Sequence, residues 1–108
     1  FAATRDAVLA GSPPQAALQS ANRALLAVER ALTRPEGLRS RPWFRNLIYA
    51  ADEDNGYSTI VFPSVNEALR RRDLALARRE VDDLAARFRA AAGQLVAANR
   101  ALGAASPR

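Results

Sequence analysis

Residues 74–102 read LALARREVDDLAARFRAAAGQLVAANRAL. Apolar side chains recur there at Leu74, Ala77, Val81, Leu84, Phe88, Ala91, Leu95, Ala98 and Leu102, alternating three and four residues apart. That spacing keeps them on one stripe of an α-helix. It predicts the seam of a left-handed bundle, with small Ala set against larger Leu, Val and Phe. At ~1.5 Å per residue the helix is about 45 Å long. Asp82 and Asp83 in an early turn and Arg100 near the end suit the helix dipole. Two long antiparallel helices cannot bury such stripes on each other alone. Shorter segments, a further domain or a second copy of the chain must cover the rest, which makes Leu74, Val81, Leu84, Phe88 and Leu95 the interface candidates.

Outward from this helix, Pro63-Ser64 opens a short helix through Val65, Ala68 and Leu69. A second long helix is expected from Ser12, a good N-cap, with Pro13 at the first helical position. Its stripe is Leu18, Ala21, Leu25, Val28 and Leu32, and Thr33-Arg34-Pro35 ends it. Residues 1–11 have helical content up to Gly11 and read as the tail of an earlier helix. Residues 34–63 hold three of the six prolines, two of the five glycines, the only Trp and both Tyr. Asn46–Ala50 can form a short extended piece and Asp52-Glu53-Asp54-Asn55-Gly56 is a turn sequence. Long ordered loops tend to carry function, so chemistry is sought here. The fold class expected is all-α: a small helical bundle with two long helices, a short helix and a long structured loop.

Composition supports that class. The chain has 108 residues, one domain's worth, with 49% apolar and 25% charged residues, and Ala fills 25 positions. The absence of Cys and His removes disulfides, a thiol nucleophile, an imidazole base and the usual zinc ligands. No apolar run approaches the roughly 18 residues of a membrane span. The chain begins at Phe1 rather than Met and reads as a piece cut from a longer protein, residues 1–108 forming a single domain of it. Sixteen Arg, no Lys and eleven acids give a net charge of +5, concentrated after residue 63. A basic helical nucleic-acid-binding module is the rival reading. It requires an unbroken basic stripe, whereas Asp73, Glu80, Asp82 and Asp83 interleave with Arg70-Arg71-Arg72 and Arg78-Arg79. That mixture points to a salt-bridged surface or the rim of a subunit interface, without nucleic acid or membrane contact.

The run Arg41-Pro42-Trp43-Phe44-Arg45-Asn46-Leu47-Ile48-Tyr49-Ala50, followed by Asn55-Gly56-Tyr57 and Phe62-Pro63, resembles the signature of the transferrin-receptor-like dimerisation domain. This is the C-terminal helical domain of glutamate carboxypeptidase II-like zinc peptidases. Leu26, Glu29-Arg30-Ala31 and Gly37-Leu38 before the run, and Ala68-Leu69 after it, agree in order and spacing, so the likeness covers about residues 22–98. The resemblance implies a homodimerising helical domain beside a two-zinc peptidase domain of the same parent chain, in an extracytoplasmic compartment. It implies zinc in that peptidase domain and no cofactor in this segment, and no hydrolysis by this segment alone. It further implies that the loop reaches the substrate pocket, where a Lys-Tyr pair of the active relatives meets the carboxylates of the substrate's C-terminal residue. The matching positions are Gly56 and Tyr57, preceded by Asn55. Tyr57 retains a phenolic donor for a carboxylate, but Gly56 supplies no charge and so no preference for a C-terminal glutamate. Asn46 stands where the family often has His, and Ala51 where it often has Pro.

The remaining loop residues have plainer expectations. Trp43, Phe44 and Tyr49 are expected as core rings tacking the loop onto the helices, with Arg45 paired to an acid. Asp52, Glu53 and Asp54 lack the alternating oxygen ligands and closing Glu of a calcium loop, and a solvated turn is expected.

Overall fold

The computed structural model describes residues 1–11 and 13–104. Its elements are α1 (Ala2–Leu9), α2 (Gln15–Ala31), β1 (Tyr49–Ala51), β2 (Thr59–Val61), α3 (Pro63–Arg70) and α4 (Leu74–Gly103). The fold is mostly helical, as expected, with one correction to the all-α class. β1 and β2 pair antiparallel in the register Tyr49–Val61, Ala50–Ile60, Ala51–Thr59. The β-branched run Thr59-Ile60-Val61 suits a strand, and Asn55-Gly56 before it is a hairpin turn signal. Ala50 and Ile60 face each other on the buried side, while Tyr49 and Val61 are exposed.

The element boundaries follow local chemistry. α2 begins at Gln15, after the tandem Pro13-Pro14, and the Pro14 carbonyl accepts the Ala17 and Leu18 amides at 3.0 and 3.3 Å. The expected cap, Ser12, lies outside the described residues. α2 stops before Thr33, which forms an isolated bridge with Asn46, and Pro35 bars any continuation. Between α3 and α4, Arg72 adopts a left-handed conformation (φ 57°) and the Asp73 carboxylate accepts the Leu76 amide at 2.8 Å, capping α4.

The chain divides into two compact units. One comprises Phe1–Arg30 and the chain from Arg89 onward. Its core is Val8, Ala21 and Leu102, with Leu18 and Ala101 packed against them. The other is Ala31–Phe88, built on Leu38, Leu47, Ala50 and Leu84 with Phe44, Ile48 and Val65 alongside. By sequence, α4 contributes its first half to the second unit and the remainder to the first.

In the second unit the long loop is held by polar contacts rather than by its rings. Gly37 sits at φ 68°, and a Cβ there would lie 2.0 Å from the Pro42 carbonyl oxygen, so only glycine fits. That close approach closes a turn in which the Leu38 amide donates to Phe44 O (2.9 Å) and places Leu38 wholly inside. Contrary to the expectation from the sequence, Trp43 and Tyr49 are not core rings; they are 71% and 58% exposed, and Phe44 alone of the three packs on the core. Beside these rings it is Arg41, rather than Arg45, that is paired to an acid. Its guanidinium donates to Glu67 Oε1 and to Ala51 O (2.7 Å), and lies 4.7 Å from the Phe44 ring centroid. Glu67, on α3, is 3% exposed and also accepts Ser40 Oγ at 2.6 Å. A second group ties the loop to α4. Arg34 donates to Glu80 Oε2 (2.7 Å) and Asp83 Oδ2 (3.2 Å), and Arg87 bridges Asp83 and Thr33 O.

Removing one partner of a buried pair leaves the other charge uncompensated, at a cost of about 3–5 kcal/mol. Arg41→Ala is therefore expected to destabilise the fold by about that amount in urea denaturation. The double variant Arg41→Met/Glu67→Leu should recover most of the loss, because it leaves no buried charge.

Candidate functional site

The stripe on α4 divides lengthwise. Ala77, Leu84, Ala91 and Ala98, seven residues apart, are all buried with no more than 8% exposure. Leu74, Val81, Phe88 and Leu95, also seven apart, are 41–68% exposed. Three residues turn a helix through about 300°, so the two rows stand some 60° apart on its surface. The chain covers the first row itself and leaves the second bare. Four of the five interface candidates lie on the bare row; Leu84 instead belongs to the core with Leu38, Leu47 and Ala50. Within the second unit, Leu74 and Val81 join Val65 and Leu69 of α3 in lining a groove of about 710 Å³, whose charged members are Arg78 and Asp82. Phe88 meets Phe62 edge-on, the ring centroids 6.3 Å apart. Phe62 precedes α3 in a left-handed conformation (φ 44°), and its amide donates to Ile48 O at 2.8 Å.

The second feature is the hairpin tip. Asp52 and Ser58 close it through the Asp52 amide to Ser58 O (2.8 Å), and the Gly56 amide donates to Asp52 O (3.0 Å). Asn55 shapes the turn, its Oδ1 accepting the Tyr57 and Ser58 amides at 3.0 Å each and Ser58 Oγ at 3.1 Å. Gly56 takes φ 57°, and a Cβ there would meet nothing within 4 Å. The Tyr57 side chain is fully exposed. Phe44, Asn46, Tyr49 and Tyr57 line a groove beside the tip. Of the three residues that the family resemblance singles out, Tyr57 is thus free to meet a ligand, whereas Asn55 Oδ1 is occupied within the turn.

The acids before Tyr57 are not simply solvated. Arg70 forks onto Asp52 (Nη1–Oδ1 2.9 Å, Nη2–Oδ2 2.7 Å) and also reaches Asp54 Oδ2 at 2.9 Å. Arg71 donates to Glu53 Oε2 at 2.7 Å. The mixed, salt-bridged surface expected here is present, with the carboxylates that meet Arg70 and Arg71 coming from the hairpin. Glu80 and Asp83 are taken up by Arg34 and Arg87. Among the described residues no three His, Cys, Asp or Glu side chains gather as a metal ion requires. The chain has neither His nor Cys, and the hairpin carboxylates are committed to guanidinium groups, so this donor set does not fit zinc. No helix among the described residues is long and apolar enough to cross a membrane.

The Arg70 hydrogen bonds, aided by the Asp54 amide, hold the Asp52 carboxyl well below the usual carboxylate range, and Asp52 in turn raises Arg70. A depressed carboxyl contributes stability above its unfolded-state pKa of about 3.9, and the contribution is lost as pH falls through the lower folded-state value. The contribution of Asp52 should therefore be lost only as acid titration passes below about pH 3.9. Asp52→Asn should remove that part of the pH dependence, as read from amide exchange at residues 52–58.

The chain was compared with known proteins. The profile of the transferrin receptor-like dimerisation domain matches residues 2–96. The chain is 42% identical over 48 residues to a probable glutamate carboxypeptidase of Arabidopsis thaliana, which covers 44% of this chain and 7% of that protein. It is 40% identical over 50 residues to a probable glutamate carboxypeptidase of Zea mays, 46% of this chain and 7% of that protein. It thus matches only a small part of the length of these relatives. With the family profile spanning most of the chain, the protein belongs to the transferrin receptor-like dimerisation domain family.

Proposed function

We propose that this chain pairs two subunits of a glutamate carboxypeptidase-like zinc peptidase and lends its hairpin tip to that enzyme's substrate pocket. The observation that carries the pairing role is the bare row of α4. Leu74, Val81 and Phe88 stand exposed at heptad spacing beside a row the chain has already buried, and they continue into the apolar groove shared with α3. An exposed apolar surface of that regularity is stabilised by a second copy of itself, which a twofold axis brings against the same row. Arg78 and Asp82 give the groove charges of both signs with which to set the register. The chain itself performs no hydrolysis on this reading; a zinc-activated water belongs to the peptidase domain of the parent, outside the cytoplasm.

The hairpin role rests on Tyr57, a fully exposed phenol on a turn whose acids are tied to α3. A tyrosine hydroxyl donates a charge-assisted hydrogen bond to a substrate carboxylate without needing a charge of its own. Gly56 adds no cation, so the pocket should accept peptides with a free C-terminus without favouring an acidic last residue.

Two measurements on the full-length protein test these roles. Light scattering should show a dimer, and Leu74→Asp/Val81→Asp should weaken it by about a hundredfold or more, since an unpaired carboxylate would have to be desolvated on association. Both side chains are exposed, so the fold should persist; an unchanged dimer would move the interface elsewhere. Tyr57→Phe should raise KM for free-C-terminus peptides by roughly tenfold or more, the equivalent of about 1.5–3 kcal/mol, with kcat little changed. Unchanged kinetics would reject the pocket role.

A further inference from the structure

We propose that Arg70 and Arg71, at the end of α3, are positioning residues for Tyr57, orienting the hairpin tip through Asp52, Glu53 and Asp54. The proposal rests on the reading of Tyr57 given above. β1 and β2 are three residues each, and a two-stranded hairpin so short is marginal without outside support. Residues 52–58 run beyond the ladder. Their internal hydrogen bonds, centred on Asn55 Oδ1, give the turn a shape but fasten it to no other element. The fastening comes from α3. Arg70 grips Asp52 with both nitrogens and Asp54 with one, and Arg71 holds Glu53.

Isolated surface ion pairs contribute little, because ordering two long side chains offsets a screened attraction. This group differs in geometry. It includes a forked guanidinium–carboxylate contact, and the Asp52 and Glu53 side chains retain only 12% and 18% exposure. The two arginines project from a helix that is itself anchored by the buried Glu67–Arg41 pair, so the direction of the tip is set by the scaffold. There is also an electrostatic consequence. Three carboxylates lie three to five residues before Tyr57, where they would repel a carboxylate-bearing ligand. Arg70 and Arg71 offset two of the three charges.

The test uses full-length protein carrying Arg70→Ala, Arg70→Lys or Tyr57→Phe, with hydrogen–deuterium exchange and steady-state kinetics on peptides with a free C-terminus. Arg70→Ala should speed amide exchange across residues 52–58 by about tenfold, while α4 keeps its protection. It should also raise KM about three- to tenfold at unchanged kcat, and Arg70→Lys should recover part of both effects. Unchanged exchange at 52–58 in Arg70→Ala overturns the positioning role whatever Tyr57 does. Faster exchange with unchanged KM, in a protein where Tyr57→Phe raises KM, overturns it as well, because order in the turn would then be irrelevant to the ring. If Tyr57→Phe itself leaves KM unchanged, the pocket reading has failed, and the positioning role falls with it.

Discussion

A carboxylate removed from water must be met by a cation and hydrogen bonds, and Glu67 imposes that demand on the whole second unit. Its hydrogen-bonding partners come from one segment, 27 and 26 residues earlier in the chain. Ser40 and Arg41 come from the long loop, and Arg41 also takes the carbonyl of Ala51 at the end of β1. One buried acid on α3 thus fixes where the loop passes, where the hairpin begins and how the Phe44 ring lies under the guanidinium. Arg34 and Arg87 repeat the arrangement on α4 with Glu80 and Asp83. The loop is long but not loose, because charged groups satisfied only in this geometry hold it at several points.

Much of this was legible in the sequence, and the exceptions share a cause. The helices announce themselves through apolar spacing, and the stop before Pro35 follows from backbone chemistry, whereas the break at the left-handed Arg72 has no sequence signal. The hairpin is harder to see because each strand has only three residues, too few for alternation to register. Its signal is the Asn55-Gly56 turn followed by three β-branched residues. The ion pairs were less visible still. Arg41 and Glu67 are 26 residues apart, Arg70 and Asp52 18, and Arg34 and Glu80 46, separations at which no local pattern says which charges will meet. Trp43 and Tyr49 mislead for the opposite reason. Large rings usually pack inside, and their exposure is visible only once the fold is built.

The same limit governs α4. Periodicity identifies an apolar stripe but cannot tell which part of it the chain will cover. In the structure three of the four covered residues, at 77, 91 and 98, are alanines, which permit close backbone approach, and the fourth is Leu84. The bulkier Leu74, Val81, Phe88 and Leu95 remain outside. Size sorts the two rows at every position except Leu84, which is large and buried. On the proposed reading, the bare row is where a second copy of the chain would pack.

Position 56 is unlike the other constrained glycine in the loop. At Gly37 the backbone of Pro42 leaves no room for a side chain, so that site tolerates no change without rebuilding the turn. At Gly56 there is open space in every direction, and the left-handed backbone alone resists substitution, by roughly 1–2 kcal/mol for an ordinary residue. The hairpin tip is therefore a place where new chemistry can be written at small energetic cost, next to a tyrosine already presented to its surroundings. The scaffold beneath would be left undisturbed. On the proposed reading, recognition at the tip could diverge by single substitutions while the bare row of α4, encoded in other residues, stays as it is.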